Sequence, residues 1–79
     1  MSRRETVLEA VDRVRADRGL PARAPAGETL LGEGGLGLDS LDMATVVAEL
    51  EVALQVDPFA HATPRLVTVA DLLRLYGAE

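Results

Sequence analysis

A chain of 79 residues has room for one small domain and one hydrophobic core. Apolar residues make up 48% of it, yet it holds one Phe, one Tyr and no Trp, so the core must be built from Val, Leu and Ala, which favours packed helices over a sandwich of sheets. With no Cys, one His and a formal net charge of −5, the composition excludes a disulfide framework and a thiolate or His-based metal site.

No stretch has the length and hydrophobicity of a signal or a membrane span, so a cytoplasmic protein is the expectation. Charge is unevenly placed. Residues 1–23 carry six Arg against Glu5, Glu9, Asp12 and Asp17, a net of +2, whereas residues 24–79 carry two Arg against nine acids, a net of −7. All the basic residues are Arg. An acidic surface repels nucleic acid and anionic lipid and attracts partners that display Arg or Lys, although it can equally serve solubility alone.

Val7, Val11 and Val14 recur at i, i+4 and i+7 with Leu8 beside them, predicting an amphipathic helix over residues 3–18 that Gly19 ends. Arg4, Arg13, Arg15 and Arg18 read as its solvated polar face. Acids interleave with them, and no aromatic residue lies nearby on which a base could stack, so a nucleic-acid patch is not expected. From Leu20 to Leu38 the prolines and glycines predict a long structured loop, with Leu20, Leu30, Leu31 and Leu36 as the side chains that pin it. Gly32, Gly34 and Gly37 spell G-x-G-x-x-G, with Asp57 downstream. The element before them is helical and nothing after them reads as a strand, so this is not a dinucleotide fingerprint. No Lys follows for a P-loop, and Leu38 and Asp42 stand where a nucleophile elbow needs glycines.

Asp39 is a favourable N-cap for a second helix over residues 40–54, which makes Ser40 its first residue. At 100° per residue, Met43, Val46, Val47, Leu50 and Leu54 form the core face, and Leu41, Asp42, Thr45, Ala48, Glu49 and Val52 the outward arc. Asp42 and Glu49, with Asp39 at the helix start, are expected to form an acidic track leading to Ser40, flanked by Leu41 and Val52 for apolar contact. Asp57-Pro58 then caps a short helical turn over Phe59–Thr63 that Pro64 terminates, with Phe59 in the core and His61 at the solvent edge. Thr68-Val69-Ala70-Asp71 reads as a capping box that opens a last helix through Tyr76. Val69, Leu72, Leu73 and Tyr76 form its inner face, and Gly77 closes it.

A serine at a helix start meets unpaired N–H groups and a partial positive charge, both of which favour a phosphate on its hydroxyl; the plainer reading is a serine that merely belongs to a cap. The run Gly37-Leu38-Asp39-Ser40-Leu41-Asp42 closely resembles the phosphopantetheine attachment motif of acyl carrier proteins, and Met43 to Glu51 resembles their second helix. The resemblance extends to the order of elements over most of the chain. It implies an all-α fold: a small four-helix bundle of three main helices and one short one, with a long loop between helices 1 and 2, in a single domain over residues 1–79.

By the same resemblance, a phosphopantetheinyl transferase uses coenzyme A to place 4′-phosphopantetheine on Ser40, with Asp39 and Leu41 completing the motif. The terminal thiol then carries acyl groups as thioesters. The partners implied are acyl-loading and acyl-transferring enzymes with basic docking surfaces, which grip Asp42, Thr45, Ala48, Glu49 and Val52. The protein itself is expected to be a freestanding monomer without catalysis, metal, nucleic acid or membrane. Thr45, Ala48 and Val52 stand where such helices often carry acids or a larger apolar residue, and the Phe59 segment is unusual in its Pro and His. These departures favour a polyketide or other specialised pathway over housekeeping fatty-acid synthesis. A peptidyl carrier for aminoacyl cargo, and a helical adaptor with an unmodified Ser40, remain as alternatives.

Overall fold

The computed structural model describes residues 2–60 and 64–78. It contains three α-helices, α1 (Arg3–Asp17), α2 (Ser40–Leu54) and α3 (Val69–Leu75), and a single 3-10 turn at Pro58–Ala60. Among the described residues there is no strand, only an isolated antiparallel bridge between Leu30 and Thr68. The expected fourth helix is thus represented by that one turn; His61 and Thr63 lie outside the described residues.

Each helix is delimited by chemistry visible in its own sequence. The Ser2 side chain accepts the Glu5 N–H at 3.1 Å and starts α1. At the other end Gly19 takes φ +76, and the N–H groups of Gly19 and Leu20 return to the carbonyls of Ala16 and Arg15. That is the Schellman arrangement, which needs a residue tolerant of positive φ at this place. α3 closes identically, with Gly77 at φ +64 and Gly77 and Ala78 donating to Arg74 and Leu73. α3 opens with the expected box: Asp71 N–H donates to Thr68 Oγ1 and Thr68 N–H to Asp71 Oδ2. α2 ends on Gln55 in the left-handed region, φ 57.

The core is aliphatic, as the composition demands. Val7, Ala10, Val11 and Val14 of α1 meet Val46 and Leu50 of α2 and Val69, Leu72, Leu73 and Tyr76 of α3. α1 packs against both other helices. Leu31, Leu36 and Leu38 are buried in the same cluster, so the loop contributes core side chains of its own. Two expectations about the core need correction. Val47 is half-buried in the wall of a groove, and Phe59 is 36% exposed because the 3-10 turn that carries it buries none of its residues.

The segment between α1 and α2 has no regular structure yet satisfies its backbone locally, as chain leaving water must. Leu31 N–H donates to Val67 O and Val69 N–H to Thr29 O, both at 2.9 Å, tying its middle to the start of α3. Leu36 N–H then returns to Leu30 O at 2.8 Å and Leu38 N–H to Leu31 O at 2.9 Å, and Gly35 N–H donates to Gly32 O at 3.1 Å, closing residues 32–35 into a turn. Leu30 was expected to pin the loop by its side chain; that side chain is 41% exposed, and its backbone does the pinning. Gly35 is obligatory here, since a Cβ would lie 2.0 Å from Leu30 O.

Two substitutions test this packing by urea unfolding. Leu50→Ala, at a wholly buried site, should cost about 2–5 kcal/mol, and Val47→Ala clearly less. Gly35→Ala should also destabilise measurably, because a backbone oxygen cannot step aside as a side chain can. Equal losses at Leu50 and Val47, or a neutral Gly35→Ala, would contradict the assigned core.

Candidate functional site

Ser40 is exposed at the first position of α2, directly after the N-cap Asp39. Its hydroxyl has no hydrogen-bond partner among the described residues, whereas the residues on both sides of it are locked. Asp39 Oδ1 accepts the Asp42 N–H at 2.8 Å, and Asp42 Oδ2 accepts the Asp39 N–H at 2.9 Å. This is a reciprocal capping box with Asp at both ends, and Ser40 and Leu41 sit between its arms.

α1 reaches the same junction with its last turn. Arg18 NH1 donates to Asp42 Oδ2 and, at 2.8 Å, to Gly37 O. Arg15 is 5% exposed; its Nε donates to Leu36 O at 2.9 Å and its NH1 to Pro21 O at 2.8 Å. Arg23 NH1 donates to Gly35 O at 2.7 Å. Three guanidinium groups therefore hold three consecutive carbonyls, Gly35, Leu36 and Gly37, just ahead of the serine. The sequence reading put Arg15 and Arg18 on a solvated face; Arg15 is instead buried, while Arg18 is exposed as expected but turns its guanidinium onto the loop and Asp42. Arg15 follows Val11 by four residues and Arg18 follows Val14 by four, so both continue the apolar stripe and face the loop.

The outward arc of α2 is also revised. Leu41 is 76% exposed and Val52 75%, and with the exposed Thr45 and Ala48 they form a row along one side of the helix. Thr45 Oγ1 donates to Leu41 O at 3.1 Å, so its hydroxyl is turned back on the helix. Asp42 does not belong to this row: it is 7% exposed and committed to Asp39 N–H and Arg18. Glu49 stands at the row's edge and pairs with Arg13 at 3.3 Å. The expected acidic track is therefore not an open one. Two of its acids, Asp39 and Asp42, are engaged in the capping box, and the third, Glu49, is shared with an arginine of α1.

A groove of about 540 Å³ runs from Ser40 along the other side of α2. Met43, Ala44 and Val47 line it from the helix, Leu31 and Leu38 from the loop, and Phe59 and Leu66 from the connection to α3. Glu51 is also in its wall; eleven residues at about 1.5 Å each put it about 16 Å from Ser40 along the axis. The groove was not foreseen. The sequence placed Met43 and Val47 on the core face with no sign of it; the structure leaves both half-buried, because the groove lies over them.

The electrostatics follow from the boxes. Asp42 is held below its ordinary pKa of 3.8 chiefly by the Asp39 N–H, against desolvation that pushes it up, with Arg18 adding to the downward shift. Asp71 is lowered in the same way by the N–H groups of Thr68 and Val67. The Tyr76 phenol is pushed up to about 12 by burial, helped by the charges of Glu51 and Asp57. No cluster of acids or His that could hold a metal occurs among the described residues, nor is any helix long and apolar enough to cross a membrane. Searches against family models, curated proteins and solved structures returned no match to this chain.

Because the Asp42 and Asp71 carboxyls are more acidic folded than unfolded, each contributes stability that is complete above its unfolded pKa and lost as pH falls through its folded one. The melting temperature should therefore hold between about pH 7 and pH 5 and decline below about pH 4. Asp42→Asn should flatten part of that decline. Superimposable acid limbs for parent and variant would show that the Asp42 carboxylate is not engaged as described.

Proposed function

We propose that this chain is an acyl carrier protein, in which Ser40 accepts 4′-phosphopantetheine from coenzyme A and the thiol of that arm carries acyl groups as thioesters. The observation that carries the reading is the exposed, unpartnered Ser40 hydroxyl at a capped helix start, beside the mouth of an apolar groove. A phosphate ester formed there meets the first-turn N–H groups and the positive end of the α2 dipole. In the transfer, an oxygen–phosphorus bond forms at Ser40 Oγ as the pyrophosphate of coenzyme A breaks, the nucleotide part departs, and the hydroxyl proton passes to a base of the transferase.

On this reading the partners are a phosphopantetheinyl transferase and the enzymes that load and unload the thiol. The row Leu41, Thr45, Ala48 and Val52 gives them an apolar strip, while Asp39 and the Arg13-shared Glu49 supply charge at its margins. A tethered arm raises the effective concentration of its cargo at a docked enzyme without any new contact. The fold is then the family's small four-helix bundle, with Pro58–Ala60 as the start of its short helix. The protein works as a cytoplasmic monomer, in polyketide or related specialised synthesis rather than the housekeeping fatty-acid route.

Intact mass after incubation with coenzyme A and a broad-specificity phosphopantetheinyl transferase tests the proposal. The parent should gain the mass of one phosphopantetheine, and Ser40→Ala should gain none while melting within a few degrees of the parent, since Ser40 supports no packing. An unmodified parent would leave the chain a helical adaptor, and a modified Ser40→Ala variant would put the attachment elsewhere.

A further inference from the structure

Arg18 has one feature that capping of α1 does not require. A single guanidinium nitrogen donates both to Gly37 O, three residues before Ser40, and to Asp42 Oδ2, two residues after it. The same Oδ2 accepts the Asp39 N–H. Residues 38–41 are thus spanned by a closed ring of contacts running Gly37, Arg18, Asp42, Asp39. Within that ring Leu38 is buried in the core, and Asp39 is held at both its N–H and its carboxylate. Ser40 and Leu41 are exposed with no such hold on their side chains among the described residues, whereas Asp39 is exposed but bound at both ends.

We propose that Arg18 is a positioning residue for the Ser40 hydroxyl: by bridging the loop carbonyl before the serine to the capping carboxylate after it, Arg18 fixes the angle at which the hydroxyl is presented to the enzyme that modifies it. This rests on the carrier reading of Ser40. The physical requirement is plain. Ser40 Oγ has no base of its own among the described residues, so the attacking geometry must be set between two proteins, and a nucleophile displaced by about 1 Å can lose about a hundredfold in rate. A capping box alone fixes the helix side of the junction. On the loop side, Gly37 N–H donates to Gly32 O and Leu38 N–H to Leu31 O, which hold the loop to itself, and Arg18 adds the link from the Gly37 carbonyl across to the capping carboxylate of α2.

Charge separates this role from docking. Arg18 partly neutralises Asp42, so its removal leaves the junction more negative and more attractive to a basic partner. A docking residue lost from the surface raises KM; a positioning residue lost from the junction lowers kcat.

The test is steady-state phosphopantetheine transfer with the carrier as the varied substrate. Arg18→Met should lower kcat about tenfold or more, equivalent to about 1.4 kcal/mol, with KM unchanged or lower and the melting temperature within a few degrees. Arg18→Lys should recover part of the loss, because one ammonium nitrogen can also donate to both oxygens but sits on a flexible stem and is more strongly hydrated. Asp42→Asn should show the same fall in kcat, and the double variant Arg18→Met with Asp42→Asn no greater fall than either alone, as expected of groups acting as one unit. Arg74→Met on α3 should keep the parental kcat. A parental kcat in Arg18→Met, a loss confined to KM, additive losses in the double variant, or an equal loss in Arg74→Met would each overturn the positioning role. A parent that gains no phosphopantetheine would refute the carrier reading itself, a distinct outcome from a modified parent with an unimpaired Arg18→Met.

Discussion

The structure depends on the hold that the end of α1 takes on the carbonyl oxygens of the following loop. Arg15 is the buried member of that hold and has no carboxylate partner among the described residues; its charge is met by two carbonyls and by the negative end of the α1 dipole, in whose last turn it lies. A guanidinium suits the task because it is weakly hydrated and its donors lie in a rigid plane, so it can satisfy separate carbonyls at once where an ammonium would stay wet. Without this hold, Leu36 and Leu38 would have to enter the core from a glycine-rich chain with little to set its path. With it, the loop delivers two core leucines and then a helix start in fixed register.

That register gives the site its form. Leu38 is buried, Asp39 caps, Ser40 faces out, and Met43 and Val47 fall on the groove side of α2 while Leu41 and Val52 fall on the open side. The serine therefore stands where two surfaces meet. One is a concave apolar wall with the dimensions of a small ligand site, and the other is a convex row of exposed small and apolar residues. The acids nearest to these surfaces are partly spoken for by Arg13 and Arg18, so the local field is weaker than the formal charge of residues 24–79 implies.

The helices were legible in the sequence because each carries its own punctuation: the valine spacing and Gly19 for α1, Asp39 for α2, and Thr68 with Asp71 and Gly77 for α3. Ser40 was legible for the same reason, as the residue after a cap. What escaped were partnerships between elements. Arg15 read as surface because Arg usually is, although its position continues the stripe of Val11; Arg18 is at the surface, but its bonds to Gly37 O and Asp42 could not be read from α1 alone. Asp42 read as outward because helical angle alone cannot reveal that an arginine approaches from the neighbouring helix. Phe59 read as core on hydrophobicity, but a turn of three residues offers too little framework to bury it.

The central claim is that residues 30–38 form a fixed structure, although they contain neither helix nor strand. Residue-resolved amide hydrogen exchange by NMR tests it most directly. The Leu31, Leu36 and Leu38 amides, which donate to Val67, Leu30 and Leu31 carbonyls, should be protected to within about tenfold of Val46 and Leu50 in α2. Exchange of Leu36 and Leu38 at open-chain rates while α2 stays protected would contradict the account, because the loop that presents Ser40 would then not be held at all.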